Sequence, residues 1–474
     1  MKILPKLNND FRIIVKPNRF NSNSNDIDYN NMVNFEIKPT LKILKYQNNA
    51  SIQKKIDLNY QGKKIYNVND LPSIIHGYKE KLLNKYQMSN LPQIYVLKFD
   101  AKNCYDSIPV NEILNKIDDL FPDENQMFYT RYINIIDTNK IDGNNSNSLK
   151  KKLILLNKPN INSFDQNSEN NINPSVKTSL IYDNAKTLTF NKERIKKIIE
   201  YQLFNSAIYK NNKTYIRKDG LFQGYPLSGA LCDILYDSIE LKFLKILSES
   251  DNNEEPLGKN NNCLIRIADD FLILSDNYHS VNKLKRLISR RIDKFNFTVN
   301  RLKTINNFSD KDGVCAMSSV NFCGYTIDLN DLSIIKSFES FNSYPFKNNI
   351  NTFNKLCIGC FKIFKLRINS NYLNPNYNDF KHLKRNIINS TISIFKKFIK
   401  TFNNLILLDR FEIQNFRNLL VIPMREYVDS FYQKNYSSSL INDIFSSVIL
   451  HSIKEFKKYG NKFQSIIICL ERFI

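Results

Sequence analysis

The chain has 474 residues, enough for two to four structural units with cores of their own. Its 68 Lys and Arg against 46 Asp and Glu leave a formal net charge of +22, which favours a polyanionic partner without separating DNA, RNA and an anionic membrane. The longest apolar runs, at 405–408 and 466–470, fall far short of the ~18 residues of a spanning helix, no N-terminal stretch has signal-peptide order, and the eight cysteines are irregularly spaced; the reading is a reduced, intracellular chain with no membrane partner and no disulfide framework.

From the N-terminus, residues 2–6 and 11–16 read as two short strands joined by Leu7-Asn8-Asn9-Asp10, and 37–47 and 74–87 as helices. The Leu91-Pro92 breaker precedes Ile94-Tyr95-Val96-Leu97-Lys98-Phe99, an apolar strand that ends directly on Asp100. Pro109 opens a helix whose Val110, Ile113, Leu114, Ile117 and Leu120 recur at helical spacing. Over 137–177 Asn, Ser, Lys and Asp dominate, as in a surface insertion; its apolar piece at 149–156 and the stretch 180–201 could fold as helices. A strand pair at 205–209 and 214–217 leads into Gly220-Leu221-Phe222-Gln223-Gly224 and then a helix with Leu231, Ile234, Leu235, Ile239, Phe243 and Ile246 on one side. Two apolar strands, 263–267 and 271–274, flank Asp269-Asp270 and raise two carboxylates at a hairpin tip. A basic amphipathic helix over 279–295, an irregular strand through 297–300 and 303–306, and a hairpin within 314–327 follow. From about residue 349 the periodicity is helical, so an α/β core precedes an all-helical C-terminal domain. Cys357-Ile358-Gly359-Cys360 sits in that helical pattern without a second ligand pair and reads as buried thiols, and the four histidines form no ligand cluster.

Phosphoryl transfer to a 3′ hydroxyl calls for two metal ions about 3.5–4 Å apart, clamped by carboxylates from non-adjacent segments. Asp100 at a strand end and Asp269-Asp270 at a hairpin tip suit that task, whereas an Asp-Asp pair alone is a common surface turn. Tyr105, five residues after Asp100, either packs beneath an incoming sugar and obstructs a 2′ hydroxyl or merely caps the local core. Gly220 and Gly224 allow close backbone approach, and the Gln223 amide can bond template or nucleotide. Lys6 and Arg12, on facing strands, offer a point charge and a fork for triphosphate oxygens, or are solvated strand charge. Lys303 is either a proton donor to leaving pyrophosphate or an ordinary basic surface residue.

Taken in order, these segments resemble reverse transcriptases and, more narrowly, the catalytic subunit of telomerase. Lys2-Ile3-Leu4-Pro5-Lys6 and Phe11-Arg12-Ile13-Ile14 resemble the family's two finger motifs; Lys98-Phe99-Asp100 with Cys104-Tyr105-Asp106-Ser107-Ile108-Pro109 its first palm motif. Gln223-Gly224-Tyr225-Pro226-Leu227-Ser228, Arg266-Ile267-Ala268-Asp269-Asp270-Phe271-Leu272, Val299-Asn300-Arg301-Leu302-Lys303-Thr304 and Phe322-Cys323-Gly324-Tyr325 resemble the motifs that follow. The resemblance implies a right hand of α/β class: fingers over 1–93, palm over 94–137, a fingers insertion and fingers over 138–224, palm with primer grip over 225–339, and a helical thumb over 340–474. It implies metal ligation by Asp100, Asp269 and Asp270 with two Mg²⁺ ions, triphosphate binding by Lys6 and Arg12, sugar gating by Tyr105, template and nucleotide contact by Gln223 and Gly224, proton donation by Lys303, and primer positioning by Cys323 and Gly324. The implied partners are a telomerase RNA template, a single-stranded DNA primer, the RNA–DNA hybrid and deoxynucleoside triphosphates, at chromosome ends in the nucleus.

Two features depart from the family pattern. Ala268-Asp269-Asp270 is also what group II intron and non-long-terminal-repeat enzymes use, and Tyr225-Pro226 is not the usual telomerase pair after Gln-Gly. With Met1 at the first finger motif, RNA retention is expected from a separate RNA-binding protein, an upstream segment or the basic surface. The alternatives are an intron or retroelement enzyme, and a non-catalytic nucleic-acid scaffold.

Overall fold

The structure, a computed structural model, describes residues 2–5, 11–14, 31–56, 62–64, 67–87, 91–137, 150–156, 179–205, 207–210, 213–248, 262–290, 292, 295–308, 317–338, 352–403 and 413–473. In chain order the elements are β1 (Lys2–Pro5), β2 (Phe11–Ile14), α1 (Lys38–Ile56), β3 (Gly62–Lys64), α2 (Leu71–Tyr86), β4 (Tyr95–Asp100), α3 (Cys104–Ser107), α4 (Val110–Leu120), β5 (Phe128–Asp137), β6 (Lys150–Leu156), β7 (Ser179–Phe190), α5 (Lys192–Phe204), β8 (Ala207–Lys210), β9 (Lys213–Ile216) and α6 (Ser228–Ser248). They continue with β10 (Asn262–Ile267), β11 (Asp270–Ser275), α7 (Tyr278–Ile288), β12 (Ile305–Asn306), β13 (Ser319–Phe322), β14 (Tyr325–Asp328), β15 (Ile334–Lys336), α8 (Phe353–Ile368), α9 (Phe380–Asn403), α10 (Ile422–Tyr432), α11 (Ser438–Lys457) and α12 (Gln464–Glu471). The chain divides into two units built from interleaved segments, one of Met1–Tyr60, Asp100–Glu249 and Lys283–Leu302, the other of Gln61–Phe99, Ser250–Asn282 and Lys303–Ile474.

In the first unit, α4 buries Val110, Ile113, Ile117 and Leu120, the i, i+3, i+7, i+10 stripe that its sequence pattern dictates. That stripe packs toward α6, and α1 is tied to α6 by a buried amide–carboxylate bond in which Asn48 donates to Asp237. The insertion departs from expectation. Residues 150–156 are strand β6 and 179–190 strand β7, antiparallel partners on either side of β5, and only α5 is helical. The reason is pairing: β5 is rich in β-branched and aromatic residues, buries Thr130, Tyr132 and Ile133, and offers two free edges that backbone groups of β6 and β7 satisfy. The strand pair predicted before Gly220 is present as β8 and β9.

The second unit contains a five-stranded sheet in the order β12-β4-β11-β10-β3, a three-stranded sheet β13-β14-β15, and helices α8 to α12. One apolar cluster runs through all three, from Val96, Ile265 and Leu272 through Tyr325 and Ile327 to Phe364, Phe398 and Phe456. Cys357 and Cys360 are buried in it, as their helical setting predicts. Buried asparagines complete strand edges. Asn307 accepts from Val96 N at 2.8 Å and donates to Ile94 O at 2.7 Å, while Asn386 of α9 accepts from Lys336 N at 3.0 Å and donates to Ile334 O at 2.7 Å. The helix expected over 279–295 ends at Ile288, and the predicted hairpin gains a third strand, β15.

Candidate active site

β10 and β11 pair in antiparallel register through Ile265↔Leu272 and Ile267↔Asp270, so Ala268 and Asp269 alone make the turn. Ala268 takes φ 54°, a left-handed conformation for a residue with a Cβ; such backbone costs of order 1–3 kcal/mol and persists only where the surroundings hold it. The holder is Arg266, 1 % exposed, whose Nη1 donates to Ala268 O at 3.1 Å. β11 is hydrogen-bonded beside β4 in the sheet, and Phe271 stacks on Phe99 with centroids 4.9 Å apart. Asp270 is the residue before Phe271, and Asp100, 7 % exposed, the residue after Phe99. Because side chains alternate along a strand, Asp270 takes the face of β11 opposite Phe271.

β13 and β14 close on a second two-residue turn, Cys323-Gly324, with both residues at positive φ, 47° and 77°. The Cys323 thiol donates to Asp270 Oδ2 at 3.7 Å. Burial first, and then the Asp270 carboxylate, push that thiol up to about 12, so it remains a neutral donor. The donor set offered at this turn is therefore carboxylate oxygen without thiolate, chemistry that suits a hard divalent cation.

Within the first unit, Tyr105 lies in α3, half-buried, and its carbonyl accepts from Leu221 N at 2.7 Å. Gly220 N donates to Ile108 O at 3.0 Å, and a Cβ on Gly220 would stand 2.7 Å from the carbonyl oxygens of Tyr105 and Asp106. Glycine is thus required here for close approach of two backbones. Gln223 is half-buried and Gly224 exposed at φ 99° on the same loop. Asp100 O accepts from Asn300 N at 2.8 Å, and Ala101 bridges Val299, which anchors the segment leading to Lys303. Lys303 itself is exposed at the end of a single helical turn, Arg301–Lys303. Arg12 pairs with Leu4 across β1 and β2, and Lys6 lies outside the described residues.

Sequence reasoning missed two features. Arg266 reads as an interruption of an apolar strand, and only the register reveals its bond to the turn. Asp328, Asp331 and His382 bring ligand atoms within 4.8 Å of one another; His382 also meets Asp379 at 2.7 Å, where Asp379 caps the start of α9.

A family model described as "Reverse transcriptase (RNA-dependent DNA polymerase)" matches residues 175–327, which includes Gln223, Asp269, Asp270, Lys303 and Cys323. The telomerase reverse transcriptase of Saccharomyces cerevisiae is 30% identical over 410 residues, 84% of this chain and 41% of the relative. The chain is similar to telomerase reverse transcriptases over most of its length. The Tetrahymena thermophila telomerase reverse transcriptase is 24% identical over 73% of this chain and 35% of its own length, so the chain spans roughly two fifths or less of these relatives. A solved structure of telomerase from Candida albicans in complex with a TWJ fragment of telomeric RNA covers 99% of this chain and 65% of that one, with TM-score 0.67 at 20% identity. That likeness carries the fold, an α/β right-hand polymerase with a helical thumb. Reverse transcriptases use divalent metal ions held by carboxylates, and telomerases act at chromosome ends.

Proposed function

We propose that this chain is the polymerising part of a telomerase, an RNA-directed DNA polymerase that extends a DNA 3′ end on a bound telomerase RNA, in the nucleus. Its partners on this reading are that RNA, a single-stranded primer and the hybrid it forms, and deoxynucleoside triphosphates. The observation that supports the proposal is the Phe99–Phe271 stack between β4 and β11, each ring one residue along the chain from a proposed ligand, Asp100 or Asp270. Asp100, Asp269 and Asp270 would hold two Mg²⁺ ions, which supply Lewis acidity for the 3′ oxygen and the departing pyrophosphate when bound.

The chain's own residues do the rest. Cys323 fixes one Asp270 oxygen by a neutral hydrogen bond, Gln223 and Gly224 meet template and nucleotide, Lys6 and Arg12 meet the triphosphate, and Lys303 donates a proton to pyrophosphate. Tyr105, held by the Gly220 loop, stands where a ribose 2′ oxygen would lie. The domain assignment follows the family: fingers 1–93, palm 94–137, insertion and fingers 138–224, palm with primer grip 225–339, thumb 340–474. The relatives do not favour an intron or retroelement enzyme.

Primer extension on an RNA template tests the assignment. Asp100→Ala and Asp269→Ala should each lower the rate by on the order of 10³-fold or more, with hybrid binding kept. Extension retained in both variants would leave a nucleic-acid scaffold as the reading. Tyr105→Ala should raise ribonucleotide over deoxyribonucleotide incorporation, by about tenfold for a steric gate worth ~1.4 kcal/mol; an unchanged ratio returns Tyr105 to core packing.

A further inference from the structure

The sequence draws attention to the close spacing of Cys357 and Cys360, yet another pair of thiols meets from positions 128 residues apart. Cys104 is the first residue of α3 and Cys232 lies in the second turn of α6, both in the first unit. Their sulfurs stand 3.3 Å apart, one thiol donating to the other, and each residue is 6 % exposed. A disulfide holds its sulfurs at about 2.05 Å, so the two have about 1.2 Å to close. Cys357 and Cys360 differ in kind. Burial pushes the Cys357 thiol up to about 12 and raises that of Cys360 in the same way, so both stay protonated and inert.

What surrounds the pair gives a bond between them a consequence. α3 is a single turn, entered at Asn103 with φ 52° and tied to the glycine loop where Tyr105 O accepts from Leu221 N. Tyr105 follows Cys104 directly, and its hydroxyl lies 4.0 Å from the point where a Cβ on Gly229 would stand. Gly229 and Cys232 are three residues apart on α6 and so share a face. α3 therefore rests on α6 at two neighbouring points, the phenol at Gly229 and the thiol at Cys232. Drawing the sulfurs together shifts the short helix, and the residue carried with it is the proposed sugar gate. Buried cysteines also serve as small apolar residues, a role alanine or valine would fill; what a touching pair adds is the capacity to bond. At this exposure a bulky disulfide is kept out, and hydrogen peroxide, scarcely larger than water, is the oxidant that fits.

We propose that Cys104 and Cys232 form an oxidation site which hydrogen peroxide converts reversibly to a disulfide, pulling α3 onto α6 and slowing extension through Tyr105. One sulfur attacks the peroxide, whose O–O bond breaks; a sulfenic acid forms, and the departing hydroxide leaves as water with the thiol proton. The second sulfur then attacks the sulfenic sulfur, the S–O bond breaks as the S–S bond forms, and a second water carries off the hydroxyl and the other thiol proton. The two sulfurs lose two electrons in all, and the peroxide gains them. An added dithiol reverses the change by thiol–disulfide exchange. The effect on extension rests on the polymerase reading, whereas the disulfide does not.

The test exposes the reduced full chain to hydrogen peroxide, alkylates the remaining thiols and digests without reductant. Mass spectrometry should find the peptides of Cys104 and Cys232 joined and two hydrogens lighter than their sum, a product absent before peroxide and after dithiothreitol. The oxidised chain should also melt higher, because the bond ties residues 128 apart in the unfolded chain. Primer extension on an RNA template should slow by roughly tenfold as the joined product accumulates and recover with dithiothreitol. Cys104→Ala and Cys232→Ala should each extend at close to the wild-type rate with and without peroxide. Both cysteines recovered unjoined from peroxide-treated wild type, or joined to other partners, would overturn the site, and that result needs no variant to fold. A joined pair with unchanged extension would overturn the link through Tyr105. Chain that forms and reverses the bond yet never extends a primer in either state would count against the polymerase reading. Extension that peroxide slows equally in wild type and both variants would count against the cysteine pair alone.

Discussion

Two hairpin turns in the same unit solve one problem in opposite ways. Ala268-Asp269 and Cys323-Gly324 each reverse the chain in two residues, and each begins with a non-glycine residue at positive φ. At the second turn the following residue is glycine, so part of the left-handed conformation is supplied by residue type. At the first no glycine is present, and a buried guanidinium from Arg266 bonds the turn's own carbonyl instead. The carboxylate turn is thus held in place by a neighbour, while the Cys-Gly turn holds itself in part through its own sequence. A site that must keep Asp269 and Asp270 in fixed directions gains from external bracing, because its strained shape is then one of few the surroundings allow.

Three substitutions probe that contrast, from the largest effect to the smallest. Arg266→Met removes the brace and leaves the Ala268 carbonyl without this donor; destabilisation of about 2–3 kcal/mol in a urea titration is expected, with extension lost beyond what the stability change explains. Unchanged stability and activity would mean that the turn is braced elsewhere. Gly324→Ala places a side chain at φ 77° and should destabilise by roughly 1–2 kcal/mol. Ala268→Gly should move the other way, relieving left-handed strain by up to about 1 kcal/mol, net of the added freedom of the unfolded chain. If both glycine changes shift the midpoint in the same direction, the two turns do not differ as described.

Much of this arrangement is legible in the sequence because it is local. An apolar run ending on Asp100, two apolar runs around Asp269-Asp270, and helical periodicity through the last third need only the 2.0 and 3.6 residue repeats to be read. What was not legible depends on partners distant in sequence. Lys150 to Leu156 becomes a strand because β5 offers it an edge, although its own composition is as compatible with helix. Asn307, Asn378 and Asn386 read as loop residues by type, yet all three are buried with amides bonded to strand backbone. Arg266 reads as a charge on a strand, and its significance appears only with the turn it touches. Lys6 lies outside the described residues, as does the side chain of Arg12, so their proposed roles remain sequence readings.

The interleaving of the two units bears on how the molecule is made. Six segments alternate between them, so the polypeptide crosses from one to the other five times, and neither unit is a continuous stretch. β3 pairs with β10 through Gly62↔Leu264, a closure that waits until two hundred further residues have left the ribosome. The first unit likewise remains incomplete until Leu302 has emerged. Pairings of such long sequence separation form slowly and leave strand edges exposed meanwhile. Nascent chains should therefore depend on chaperones over most of their synthesis, and expression of a fragment ending between residues 100 and 302 should yield aggregate in place of a folded half.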